Sequence, residues 1–169
     1  MLHGTKKLAC GFITVVACFS AAPALAGAAT TASSTAQVLD SIQFAVLLDL
    51  DFGKIAMRDN VSGGDVIIDP SSSSRTCSGN IVCTGTFGTS RLELTGSDAA
   101  VQVNFDPTFQ LTGPGDPIVA EPSFPGGPGA VVNLTGGYTV VNFGATLHIN
   151  PGQAPGTYSG QFTVNLEYY

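Results

Sequence analysis

The sequence predicts an all-β domain built as a β-sandwich, and three observations carry that expectation. Apolar and polar residues alternate strictly over long stretches, above all at the C-terminus, where Tyr158, Phe162, Val164, Leu166 and Tyr168 share one parity. Period-two alternation is the mark of a strand with one buried and one wet face. Shorter alternating runs recur at spacings of roughly ten residues with turn residues between them. The composition agrees: 21 Gly and 10 Pro, abundant Ser, Thr and Val, almost no Lys, and no helical periodicity.

Residues 1–26 read as a secretory signal peptide. Lys6 and Lys7 precede an apolar run from Leu8 to Ala22, and Ala24-Leu25-Ala26 supplies an A-x-A cleavage site. Val15-Val16-Ala17-Cys18 also has the shape of a lipoprotein processing site, which would leave Cys18 lipidated. Gly27 to Gln37 is a run of small residues and reads as a flexible N-terminal extension.

The domain proper is expected over 38–169. Val38, Ile42, Phe44, Val46, Leu48, Leu50 and Phe52 all fall on even positions, broken only by Asp40, so a long strand is expected there. Short strands follow at Asp65–Ile68, Arg91–Gly96, Ala100–Phe105, Val131–Leu134 and Tyr138–Ile149. Thr112 to Gly129 is so rich in Pro and Gly that it reads as a long exposed loop. The last strand opens after Gly156 and runs from Tyr158 through Gly160 to Tyr168. Burying Phe162, Val164, Leu166 and Tyr168 would contribute about 1.5–3 kcal/mol each. That strand must therefore lie inside a sheet, beside a neighbour from this chain or another.

Without Lys6 and Lys7 the six basic residues fall to four against twelve acidic ones, a formal charge of −8. An acidic chain without basic clusters is a poor partner for nucleic acid or anionic lipid. Export leaves two cysteines, Cys77 and Cys83, flanking Ser78-Gly79-Asn80-Ile81-Val82. A hairpin turning at Gly79-Asn80 would set them on facing strands, and in an oxidising compartment they should form a local disulfide.

Two resemblances enter here. Leu50-Asp51-Phe52-Gly53, Asn142-Phe143-Gly144-Ala145-Thr146-Leu147 and Gly156-Thr157-Tyr158-Ser159-Gly160, in that order, resemble a family of secreted bacterial β-sandwiches catalogued as domain of unknown function 4402. The likeness covers roughly Val38 to Tyr169. The penultimate Tyr168, and Gly156 fourteenth from the end, are also similar to subunits of chaperone–usher pili, including the spore-coat-U-like branch. That second resemblance implies an immunoglobulin-like sandwich lacking its last strand. A periplasmic chaperone, and then the N-terminal extension of the next subunit, would complete it. Strand addition supplies missing backbone hydrogen bonds, and head-to-tail donation builds fibres because it does not close. The donor would be the small-residue run from Ala28 to Ala36, or a segment extended through Val38, Ile42, Phe44, Val46 and Leu48. The latter residues would serve equally as the first strand of their own domain.

No pattern in the sequence points to catalytic or cofactor chemistry. His148 is the one histidine left after export and reads as a strand-surface residue. Asp49 and Asp51 read as solvated residues at a strand edge. No EF-hand loop, zinc spacing or phosphate-binding glycine motif occurs, so no cofactor or metal is expected and an enzyme is not. The expected role is a secreted, pilin-like cell-surface subunit that reaches the surface through the periplasm. It would polymerise with itself or related subunits, served by a chaperone and an outer-membrane usher. The alternative is a self-complete monomeric sandwich, a surface or ligand-binding module using the Thr112–Gly129 loop. An outer-membrane barrel would need strands of about nine to eleven residues, longer than most of these.

Overall fold

The computed structural model describes residues 30–169. The expected leader, and the first three residues of the expected extension, lie outside them. Twelve strands are described. In chain order they are β1 (Gln43–Leu48), β2 (Lys54–Met57), β3 (Gly64–Asp69), β4 (Ser74–Cys77), β5 (Ile81–Thr84) and β6 (Ser90–Thr95). Then come β7 (Ala100–Phe105), β8 (Phe109–Leu111), β9 (Ile118–Ser123), β10 (Ala130–Asn133), β11 (Tyr138–Ile149) and β12 (Val164–Tyr168). No helix occurs among the described residues.

The sheets are assembled on β11. Its odd positions Val141, Phe143, Ala145, Leu147 and Ile149 are all buried, as period-two alternation requires. Its first half pairs with β6 and its second half with both β3 and β9. β1 adds to β6, β4 to β3 and β8 to β9, giving one seven-stranded sheet. Over the first half of β11 lies a small sheet of order β10-β7-β12. The core between them comprises Leu92 and Leu94 of β6, Val141 and Phe143 of β11, and Val103 and Phe105 of β7. Over the second half lies the two-stranded β2-β5 sheet, around Val66, Ile68, Ile81, Leu147 and Ile149. Every pairing is antiparallel. The fold is the expected all-β sandwich, and Gln37–Tyr169 forms one compact unit of it.

Two expectations need correction. The region Thr112–Gly129 holds β9, whose Ile118 and Ala120 are buried, as is Pro122. Proline is tolerated where a strand lacks a neighbour, and β8 ends opposite Ile118–Ala120, leaving Pro122 flanked by β11 alone. The runs at 91–96 and 100–105 lie in different sheets, so the turn between them crosses the sandwich. The cysteine pair forms its disulfide, with Cα atoms 6.2 Å apart, but not across a hairpin. Cys77 is on β4, paired with β3, and Cys83 is on β5, paired with β2.

The disulfide therefore joins the small β2-β5 sheet to the large one. Arg75 works at the same junction, donating from Nη1 to the Phe52 carbonyl at 2.9 Å and stacking 4.6 Å from the Phe87 ring centre. In the turn between β3 and β4, the backbone N–H groups of Ser71 and Ser72 hold the Asp69 carboxyl below its usual range. Closing a loop of this length restricts the unfolded chain by about 2 kcal/mol in the entropy model. Reduction, or Cys77→Ser, is expected to cost about that much in urea unfolding, with β2 and β5 losing hydrogen-exchange protection first.

Candidate functional site

The C-terminal segment is where alternation and structure part company. Phe162, Val164, Leu166 and Tyr168 point inward as expected, yet each is only half-buried. The regular strand is also shorter than expected, because the segment changes sheets on its way. Ser159 pairs with Thr112 just beyond β8, whereas Val164–Tyr168 pair with β7. Gly160 allows the crossing, since a side chain there would collide with the Gln110 carbonyl. Gly156 opens the segment at φ 152°, and a Cβ on it would run into the Pro114 ring. The Tyr158 hydroxyl donates to the Ala154 carbonyl at 2.9 Å and accepts from the Gly115 N–H at 3.0 Å. A tyrosine bonding back to a carbonyl a few residues upstream braces a sandwich corner.

β12 is bonded only to β7, so its outer edge has no strand beside it among the described residues. The other sheet ends on the same side with β1. Register places Phe44 opposite Leu94 and Val46 opposite Leu92. A bulge between Val46 and Leu48 leaves Leu47 unpaired, which accounts for an apolar residue on the odd parity. The candidate donor residues Ile42, Phe44, Val46 and Leu48 thus lead into or belong to a strand held in cis. Val38, ahead of it, is off the sheet and 94% exposed. All six residues of β1 are exposed, with Phe44 at 58%, Val46 at 57% and Leu48 at 52%.

Between the two open edges runs a groove of about 1320 Å³. Phe44 and Val46 line it from β1, Phe162 and Val164 from the C-terminal segment, and Leu92 and Leu111 from the core. Asp49 and Asp51 stand at its margin, exposed as expected, with Asp51 accepting the Gly53 N–H at 2.8 Å. The groove can do what apolar surface next to unpaired backbone does. It offers hydrogen bonds along an edge and a place for alternate side chains. Sequence alternation found both walls but missed the contribution of β8 and β9 to the floor, where Leu111 and Ile118 sit. The even-position apolar pattern Ile118, Ala120, Pro122, Phe124 was the available signal, masked by its prolines.

His148 lies on the opposite face of β11, 40% exposed in its side chain. Its Nδ1 is 2.8 Å from Asp65 on β3, and its Nε2 is 3.5 Å from Glu121 on β9. This is a polar ladder across three strands, worth under about 1 kcal/mol per pair at such exposure. No group of three or more His, Cys, Asp or Glu among the described residues is arranged to hold a metal.

Residues 42–168 match a protein family described as a domain of unknown function, DUF4402. Searches of curated proteins and of solved structures return no match.

Proposed function

The chain belongs to the DUF4402 family, and from that premise we propose that it is an exported, pilin-like structural subunit. Its groove would accept a strand from a second copy or a related subunit. The observation that supports this reading is the half-burial of Phe162, Val164, Leu166 and Tyr168 beside an edge with no partner among the described residues. A terminal strand with that apolar face would be fully covered in a finished sandwich. The equivalent inward positions of β11 are buried. An incoming strand bonded to β12 would complete an immunoglobulin-like sheet and cover Phe44 and Val46 as well. β1 is already engaged with β6, so the donated segment is the small-residue run ahead of it. During export such an edge needs protection from misassociation, the part a periplasmic chaperone would play before an outer-membrane usher.

A self-complete surface module is favoured by one feature, the docking of β1 in cis. One experiment separates the two. The exported chain is expected to give SDS-resistant, heat-labile polymers, and deletion of residues 27–37 to leave only folded monomer. Polymers that survive the deletion, or a parent chain that stays monomeric, would reject the proposal.

A further inference from the structure

The N-terminal segment is tied down at one point before β1 begins. The Tyr168 hydroxyl donates to the Asp40 carbonyl at 2.7 Å and accepts from the Ser97 N–H at 2.8 Å. The Asp40 N–H in turn donates to Ser97 Oγ at 2.8 Å. Gly96 leaves room for the tyrosine hydroxyl, against which a side chain would abut. Three residues therefore close a ring of hydrogen bonds, and each belongs to a different part of the groove's frame. Tyr168 ends β12, Ser97 follows β6, and Asp40 leads into β1. The knot joins the two edge strands at one end of the groove.

The residues of β1 bury too little to hold that strand firmly by themselves, since all six are exposed. Backbone bonds to β6 and the Asp40 knot must supply the rest. The knot also explains the single polar interruption in the even-position pattern. Asp40 is held by its backbone, and no apolar side chain is called for there.

We infer that Tyr168 and Ser97 latch the backbone of Asp40 and so sort the N-terminal segment into a retained part and a donated part. β1 stays with its own subunit, and the residues ahead of Asp40 are what a neighbouring copy receives. This rests on the strand-exchange reading for its second half; the retention of β1 can be judged in the monomer alone. Tyr168 is a positioning residue here, acting through the Asp40 backbone.

Two variants of the full exported chain test it. Tyr168→Phe keeps the ring and removes the hydroxyl. Hydrogen exchange in its monomer should speed up on the order of tenfold at β1, as the loss of the hydroxyl's two hydrogen bonds, one part-buried and one exposed, allows. Exchange at β3 and the second half of β11 should not change. Unchanged exchange at β1 would overturn the latch whether or not the chain polymerises. The second variant pairs Ala45→Cys with Glu93→Cys, directly opposed residues of β1 and β6. A disulfide there locks β1 in cis. Locked chains should polymerise as fully as the parent; polymerisation that appears only after reduction would mean that β1 itself is exchanged, and the sorting would be wrong. A parent chain that never polymerises sinks strand exchange itself, and the latch then stands or falls on the exchange measurement.

Discussion

Phe143→Ala is expected to destabilise the domain by about 3–5 kcal/mol, the upper range for losing a buried aromatic ring. Phe143 is fully buried, and its ring is the hub of the core between the large and small sheets. Phe124 lies 4.8 Å away centre to centre, Phe105 5.5 Å away and edge-on, and Phe162 5.6 Å away. Those three partners come from the segment after β9, from β7, and from the crossing before β12. One truncation thus leaves a cavity touched by both sheets and by the C-terminal segment, with no single element free to collapse into it. Aromatic pairs add about 0.5–1.5 kcal/mol beyond area burial, so Phe143→Leu should recover only part of the loss. Urea unfolding checks this: the midpoint should fall with the slope unchanged. A loss below about 1.5 kcal/mol would mean that the two sheets do not share a packed core at this ring.

The bounds of β7 and β11 follow directly from alternation, because each has an inward face buried along its length. Short strands were harder. β2 and β8 have four and three residues, too few for a period to register; β2 pairs with the equally short β5 and β8 with the longer β9. Pairing is less legible still. Nothing in Cys77-Ser-Gly-Asn-Ile-Val-Cys83 distinguishes a hairpin from two strands that turn away to different sheets. The deciding contacts are the β3–β4 hairpin, with Asp69 opposite Ser74, and the β2–β5 pairing, with Met57 opposite Ile81, which is distant in sequence. The C-terminal segment was legible in the face each side chain takes and not in depth. Parity tells which way Val164 points. How much of it is covered depends on whether a strand lies beyond β12, and that is a property of the whole sheet.

Phe44→Ser combined with Val46→Ser separates an assembling subunit from a self-complete one. Each side chain is more than half exposed in the single chain, 58% and 57%, so folding gains less than half of what full burial would bring. At about 1.5–3 kcal/mol for a fully buried side chain, the pair should cost the monomer about 1–2 kcal/mol. A strand laid along β12 would bury the remainder. The substitutions would then weaken assembly by a comparable amount, roughly ten- to a hundredfold in the association constant at about 1.4 kcal/mol per decade. Sedimentation of the exported chain over a dilution series reads the second quantity, and denaturant unfolding of the dilute monomer reads the first. A groove that only binds a small ligand, or none, would show the stability loss with no change in mass distribution. Exposed apolar residues along an edge strand would then be surface without an assembly role, and the unpaired side of β12 would need a different occupant.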